Sequence, residues 1–432
     1  MGKESMSREN RGKRVVRWLA PITGAAVIAA GVIASNSPGR ISLADAATVA
    51  PAPAITLGIH DGAINNCDKN GNQTTPPTPA ELTAATSSFT SDYWPALDVH
   101  TVRFSSPWDV AYHHDKTAKA NEELSVIQDC LNAWLTGAAH AGASVEIAFK
   151  PDPGFKSPDV VDIGVPDIDT YTAAIKAFVS KYSTPASTDG RAHVRIITPW
   201  GEPDTPGSGD DRIFMPAGGH LFADPSCHGS ETDRTCGPVL AAHMWVAVHL
   251  ACKATCTLVG QKPGSGVIAG DFSGNGGPLG TYLDVYRKNL DGLRPVVWAL
   301  HPYGDIMKFE TYLTTGRTFS PLTASFARDL AKFGYHQHTQ IWLDEVSSFQ
   351  YYSQSGKHQP AWTPTVQAAA GEYLLTRLPK AASGPGEPVV TRVYYVNFQA
   401  AGQPKSQPNA RWALVLGGGT QPQPIYYTFA NR

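Results

Sequence analysis

After residue 34 no apolar run is long enough to cross a membrane, no basic stripe runs along the chain, and no Cys-x-x-Cys pair occurs. Each absence excludes a class of function. Without a basic stripe nothing neutralises a phosphate backbone, so nucleic acid is not expected as a partner. The missing Cys-x-x-Cys pair argues against zinc, and His113-His114 have no carboxylate or third ligand at helical spacing, so no metal is expected. No glycine-rich phosphate loop follows the first β-branched run, which argues against a dinucleotide-binding sheet. "GNGGPLG" (274–280) lacks the fingerprint spacing and reads as a substrate-side loop, while "GSGDD" (207–211) reads as a plain loop rather than a calcium site. No serine-centred nucleophile elbow is present, so an esterase is not expected. No cofactor is called for.

At the amino end, Lys3, Arg8, Arg11, Lys13, Arg14 and Arg17 precede an apolar stretch from Leu19 to Ala34, and Ala44-Asp45-Ala46 follows. That order is the one a secretory signal peptide carries, with cleavage near Ala46. An uncleaved anchor is the rival reading, but the stretch is short and carries Pro21 and two glycines. The expected product is a secreted, extracellular monomer with no membrane contact after cleavage. Without residues 1–46 the chain has 28 basic and 34 acidic side chains, a net charge of −6. All six cysteines lie in the exported part, which suggests disulfides. Cys67 could meet Cys130, Cys227 could meet Cys236, and Cys252 could meet Cys256, among about fifteen possible pairings.

Residues 47–54 read as a linker and 55–432 as one domain, since no later low-complexity stretch divides the chain. Within it, short β-branched or aromatic runs recur at Ile55–His60, Val99–Phe104, Ser144–Phe149, Val194–Thr198, Val267–Ala269, Val296–Leu300, Gln340–Leu343 and Val389–Phe398. Helical spacing links Leu124, Ile127, Leu131, Trp134 and Leu135, and again Tyr171, Ile175, Phe178, Val179 and Tyr182. Segments 238–252, 279–290, 322–333 and 365–378 also read as helices, and Gly142, Gly292 and Gly334 stand where helices should stop. Alternating strands and helices mean a parallel sheet with helical crossovers. Eight such units in one domain predict an α/β fold, a (β/α)8 TIM barrel.

In such barrels chemistry sits at the carboxyl ends of the strands. Those ends present His60 and Asp61, Arg103, Lys150 and Asp152, Glu202, Asp271, His301 and Tyr303, Glu345, and Asn397. Glu202 ends the fourth apolar run and Glu345 the seventh, and those strands face one another across the mouth. Two carboxylates across a cleft are what glycosidic-bond hydrolysis requires, one as proton donor and one as nucleophile.

Four motifs carry a resemblance on the same strands: "PWGEPD" (199–204), "ALHPYGD" (299–305), "IWLDEVSS" (341–348) and "RWALVLGGGTQPQPIYYTFA" (411–430). From about residue 55 to the carboxyl end the chain resembles the clan A glycoside hydrolases, retaining (β/α)8 enzymes with catalytic glutamates after strands four and seven. The resemblance implies that Glu202 is the acid/base, its proton held by the negative neighbour Glu345, and that Glu345 is the nucleophile. It implies that Arg103 keeps Glu345 ionised and that His301 and Tyr303 lie beside the nucleophile and the first bound sugar. Asp271 is a further candidate for sugar binding, and Trp108, Trp200, Phe398 and Trp412 are candidates for stacking on sugar faces. The expected partner is a carbohydrate substrate, a poly- or oligosaccharide. One departure stands out: where the clan usually has Asn before the acid/base, this chain has Gly201. That glycine fits a turn or opens space, and it motivates the alternative of a weakly catalytic or silent barrel that binds extracellular or cell-surface glycans.

Overall fold

The computed structural model describes residues 54–67, 75–112, 118–150, 166–184, 189–204, 237–274, 279–348, 363–399, 413–416 and 420–432. Eight parallel strands lie in the order β4-β3-β2-β1-β8-β7-β6-β5. They are β1 (Thr56–His60), β2 (Thr101–Pro107), β3 (Ser144–Lys150), β4 (Val194–Thr198), β5 (Ala269–Phe272), β6 (Val297–Leu300), β7 (Gln340–Val346) and β8 (Val389–Val396). The two ends of that order meet: Ile197 bridges Val267, with bonds from Ile197 N to the Gly266 carbonyl and from Ile268 N to the Ile197 carbonyl, each 2.9 Å. The sheet is thus a nearly closed TIM barrel, as the alternation predicted.

The helices are α1 (Pro79–Ala85), α2 (Ala118–His140), α3 (Ile168–Phe178), α4 (Gly237–Cys252), α5 (Leu279–Lys288), α6 (Tyr303–Thr315), α7 (Leu322–Lys332), α8 (Pro364–Glu372), α9 (Leu378–Ala381) and α10 (Pro424–Ala430). Gly142, Gly292 and Gly334 take φ of 66°, 72° and 83°, as a stop in the left-handed region requires. Helix α1 carries a capping box in which Thr78 and Glu81 satisfy each other's backbone N–H groups. At α7 the cap comes from elsewhere: Asp305 of α6 accepts from Leu322 N at 2.5 Å and Thr323 N at 2.9 Å. Neither α1 nor α6 was expected from the periodicity.

Alternate residues of each strand face the inside of the barrel. The lower interior is apolar, with Ile196, Ile268, Val297, Ala299, Trp342 and Tyr394 in one cluster. Gly58 makes room for Tyr394, since a Cβ there would lie 2.5 Å from its ring. Two residues further along the strands the interior turns polar. Arg103, Glu146, Thr198, Asp271, His301 and Asp344 are all buried. TIM barrels usually fill this space with branched apolar side chains. Here the upper layer is ionic and carries the candidate site.

Two register slips build that layer. Between β7 and β8, Leu343 pairs with Val393 and Val346 with Tyr395, so Asp344 and Glu345 together oppose the one residue Tyr394. Between β5 and β6, Gly270 pairs with Ala299 and Phe272 with Leu300, which leaves Asp271 as the extra residue. Bulges of this kind re-aim side chains at barrel rims. The fifth strand therefore runs from Ala269 to Phe272, past the predicted Val267–Ala269, because Gly270 and Asp271 interrupt its apolar pattern.

Cys67 is joined to Cys130 and Cys252 to Cys256, two of the pairings considered. Cys227 and Cys236 lie outside the described residues, as do residues 1–53, where the signal peptide and most of the linker were expected. Among the described residues no helix is long and apolar enough to cross a membrane.

Candidate active site

Glu345 and Glu202 stand at one end of the barrel, linked by a chain of charged contacts. Tyr303 Oη donates to Glu345 Oε1 at 2.7 Å, and Arg103 Nη1 donates to Glu345 Oε2 at 3.0 Å. His60 Nδ1 lies 3.0 Å from that same oxygen. Arg103 also reaches Asp271 Oδ2 through Nη2 at 2.5 Å and Glu146 Oε1 through Nε at 3.2 Å. His301 faces two carboxylates, with Nε2 2.6 Å from Asp271 Oδ1 and Nδ1 2.8 Å from Glu202 Oε1. Glu202 and Glu345 keep 23% and 24% of their side chains exposed, whereas Arg103, Asp271 and His301 are sealed beneath them. The two glutamates are thus the carboxylates of this network that a ligand can reach.

The charges follow from this packing. Burial alone would raise Glu345, but His60, His301 and Arg103 hold it well below the usual carboxylate range. Burial opposes a charge on His301, yet Asp271 and Glu345, with the bonds to Asp271 and Glu202, carry it well above the ordinary histidine range. Asp344, the residue before Glu345, moves the other way: burial first, then Glu146 and Asp271, push it well above the ordinary range. Its charge is disfavoured directly beside Glu345, whose charge is favoured. Neighbouring carboxylates pushed in opposite directions have distinct roles.

Backbone geometry places Glu202. It takes φ 48°, and its N–H donates to the Asp271 carbonyl at 3.0 Å. The left-handed residue is therefore Glu202 itself. Gly201 has no such φ, and a Cβ there would meet Asp271 Oδ2 at 3.5 Å and the Phe149 carbonyl at 3.7 Å, both ordinary contacts. Of the two readings of Gly201, fitting a turn and opening space, its backbone gives no support to the first. The Asp271 carboxylate lies at ordinary contact distance from position 201, beside the end of strand four. Asp204 fastens the same loop, accepting from Ser273 N at 2.7 Å and Gly274 N at 2.9 Å.

Of the residues predicted at the strand ends, His60, Arg103, Glu202, Asp271, His301, Tyr303 and Glu345 come together. Asp61 does not; it accepts from Trp134 Nε1 at 2.9 Å and Ser88 Oγ at 2.7 Å, deep in the wall. Trp108, Trp200 and Phe398, expected to stack on sugar, are buried. Tyr171 lies within 6.2–6.3 Å of the Trp108 and Trp200 rings, and Trp94 packs on Phe398 at 5.1 Å. They are core residues, because a β-strand end in a barrel is flanked by helices as well as by the cleft. Asp271, expected to bind sugar, is likewise fully buried and bound within the protein. Trp412, Asp152, His113, His114 and residues 207–211 lie outside the described residues. Glu146 was not anticipated: it is the one charge inside the apolar run "SVEIAF" (144–149), and that charge was the available signal. Among the described residues no group of three or more His, Cys, Asp or Glu could hold a metal ion.

The fold is a (β/α)8 barrel, and solved structures that share it include glycoside hydrolases. Among solved structures the chain is similar to GH5_18 from Streptomyces cattleya in complex with GlcNAc, at 12% identity and a TM-score of 0.52, over 88% of this chain and 80% of that one. It is similar too to PbGH5A, a family 5 glycoside hydrolase from Prevotella bryantii B14, at 13% identity and a TM-score of 0.47, over 88% and 95% of the two chains. A Bacteroides ovatus GH5 xyloglucanase aligns at 10% identity and a TM-score of 0.48, over 88% of this chain and 75% of that one. At such identities the likeness is one of fold. No protein-family model matches the sequence, and no curated protein matches it.

Proposed function

We propose that the protein is an exported retaining glycoside hydrolase acting on a poly- or oligosaccharide, with Glu345 as nucleophile and Glu202 as acid/base. The observation that carries this reading is the pairing of a partly exposed Glu345, its charge favoured by Arg103, His60 and Tyr303 around it, with a second partly exposed carboxylate, Glu202, at the end of β4. In the first step a Glu345 oxygen bonds to the anomeric carbon while Glu202 gives its proton to the departing glycosidic oxygen. In the second, Glu202 takes a proton from water, the water oxygen attacks the same carbon, and the bond to Glu345 breaks. Tyr303 and Arg103 steady the carboxylate before attack and receive its charge back at the end. A sugar acceptor in place of water would make the reaction transglycosylation by the same residues.

The test is turnover of activated aryl glycosides, beginning with N-acetylglucosaminides because the Streptomyces cattleya neighbour was solved with GlcNAc. Glu345→Ala and Glu202→Ala should each lower kcat/KM on a poor leaving group by about 10⁴-fold or more, with unchanged circular dichroism. Proton NMR of the first-formed product should show the substrate's own anomer. Full turnover in Glu345→Ala, or the opposite anomer, would sink the assignment. Glycan binding without release from any sugar would favour a silent, binding barrel instead.

A further inference from the structure

A single buried residue joins the two halves of the site. Asp271 is the extra residue of the β5 bulge and takes φ 66°, which turns its side chain into the barrel. Each of its oxygens then meets a charged donor, His301 Nε2 at 2.6 Å and Arg103 Nη2 at 2.5 Å. Beyond His301 lies Glu202 at 2.8 Å, and beyond Arg103 lies Glu345 at 3.0 Å. The Asp271 carbonyl also accepts the backbone N–H of Glu202. Three bonds from one residue thus reach both candidate catalytic glutamates or their direct partners. Gly201 adds to this: the residue before Glu202 has no side chain, and the Asp271 carboxylate stands 3.5 Å from where its Cβ would be. Polar support for the end of β4 therefore comes from β5.

A count of protons shows why a carboxylate is required. Both nitrogens of His301 point at carboxylate oxygens; with Asp271 ionised and the proton of Glu202 on its other oxygen, both nitrogens carry hydrogen and the ring is an imidazolium. Arg103 cannot give up a proton, so its Nη2 always needs an acceptor. An amide in place of Asp271 offers one acceptor oxygen and one NH₂. The oxygen must go to Arg103, and the NH₂ then faces His301 Nε2, which has to become an acceptor. The ring is left neutral, with its remaining proton on Nδ1 toward Glu202.

We propose that Asp271 is a positioning residue that couples the acid/base to the nucleophile: it holds His301 charged and aimed at Glu202, and Arg103 aimed at Glu345, so that neither half keeps its geometry without it. This rests on the glycosidase reading for its kinetic consequence, but its effect on His301 does not depend on activity.

The experiment uses the full chain and Asp271→Asn, since Asn matches Asp in size and tolerates left-handed backbone. In ¹⁵N-histidine-labelled protein at neutral pH, one imidazolium pattern, assigned by its loss in His301→Gln, should be present in the wild type and replaced by a neutral-ring pattern in Asp271→Asn. In kinetics, kcat should fall about 10²-fold or more on both good and poor leaving groups, with KM little changed and circular dichroism retained. An unchanged His301 signal in Asp271→Asn would overturn the proposal. So would a rate loss confined to poor leaving groups, because Arg103 and Glu345 would then be independent of Asp271. If the wild type releases no sugar from any glycoside, the glycosidase reading fails while the histidine signal still decides the coupling. Should Asp271→Asn not fold, Asp271→Ser removes the carboxylate with a smaller side chain and is read by the same two measurements.

Discussion

Asp204 shows how burial at the rim of the site is set against hydrogen bonding. Burial pushes it up to about 6, the N–H groups of Ser273 and Gly274 pull the other way, and Glu202 adds to the rise. Because this folded value lies above the ordinary one near 4, the native chain binds the proton more tightly than the unfolded chain between those values. The contribution of Asp204 to stability is therefore complete below about pH 4 and is lost as pH rises through about 6. Thermal unfolding followed from pH 4 to 6 should show wild-type Tm falling relative to Asp204→Asn, which has no such proton to lose. Residues of the site differ in how far they can be read in advance. Glu202, Glu345, His301 and Tyr303 are legible because each follows an apolar run, and Arg103 because it stands near the end of one, where a polar residue can face the mouth of the barrel. Glu146 lies within such a run and Asp344 directly after one beside Glu345, and which face of the strand each occupies depends on register, which a lone sequence does not disclose. The aromatic residues mislead for the same reason: Trp108 and Phe398 occupy strand ends yet turn toward the helices.

At the scale of the element, the bulges do most to make the site. An unbroken β7 would turn Glu345 to the face opposite Asp344, and an unbroken β5 would turn Asp271 away from Arg103. Gly270 makes the second bulge possible. It takes φ 92°, and a Cβ there would lie 2.5 Å from the Phe272 ring and 3.0 Å from the Ala299 carbonyl. Gly270→Ala should cost about 2–3 kcal/mol in urea denaturation, with activity falling further than stability because Asp271 is displaced. Val194–Thr198 matches its apolar run residue for residue, although its register with β3 also slips, at Arg195. Helix α6 escaped notice because Met307, Tyr312 and Leu313 are exposed, so its apolar residues do not gather on one stripe.

For the whole molecule, alternation of strand and helix was enough to foresee the barrel, since eight β-α units in one domain have few other ways to bury both faces of a parallel sheet. Disulfide pairing was not foreseeable to the same degree, because spacing alone does not say which cysteines meet. Once known, the pairing orders their contributions. Cys67–Cys130 spans a sequence separation of 63 and Cys252–Cys256 one of 4. Loop-closure entropy gives about 4 kcal/mol for the first and about 2 for the second. Replacing Cys67 and Cys130 by Ser should therefore lower Tm by more than replacing Cys252 and Cys256, as read by calorimetry.

The join between Ile197 and Val267 is the slenderest seam of the barrel, a bridge and a few bonds where the other neighbouring strands share longer ladders. Glu202 departs from one lip of that seam, while Asp271, His301 and Glu345 belong to the other. The molecule is thus a hoop with its clasp beneath its own working parts. Should the clasp slacken on warming, Glu202 would drift from His301 and Asp271 while the rest of the hoop still held, so on the proposed reading activity should fall at a lower temperature than the fold.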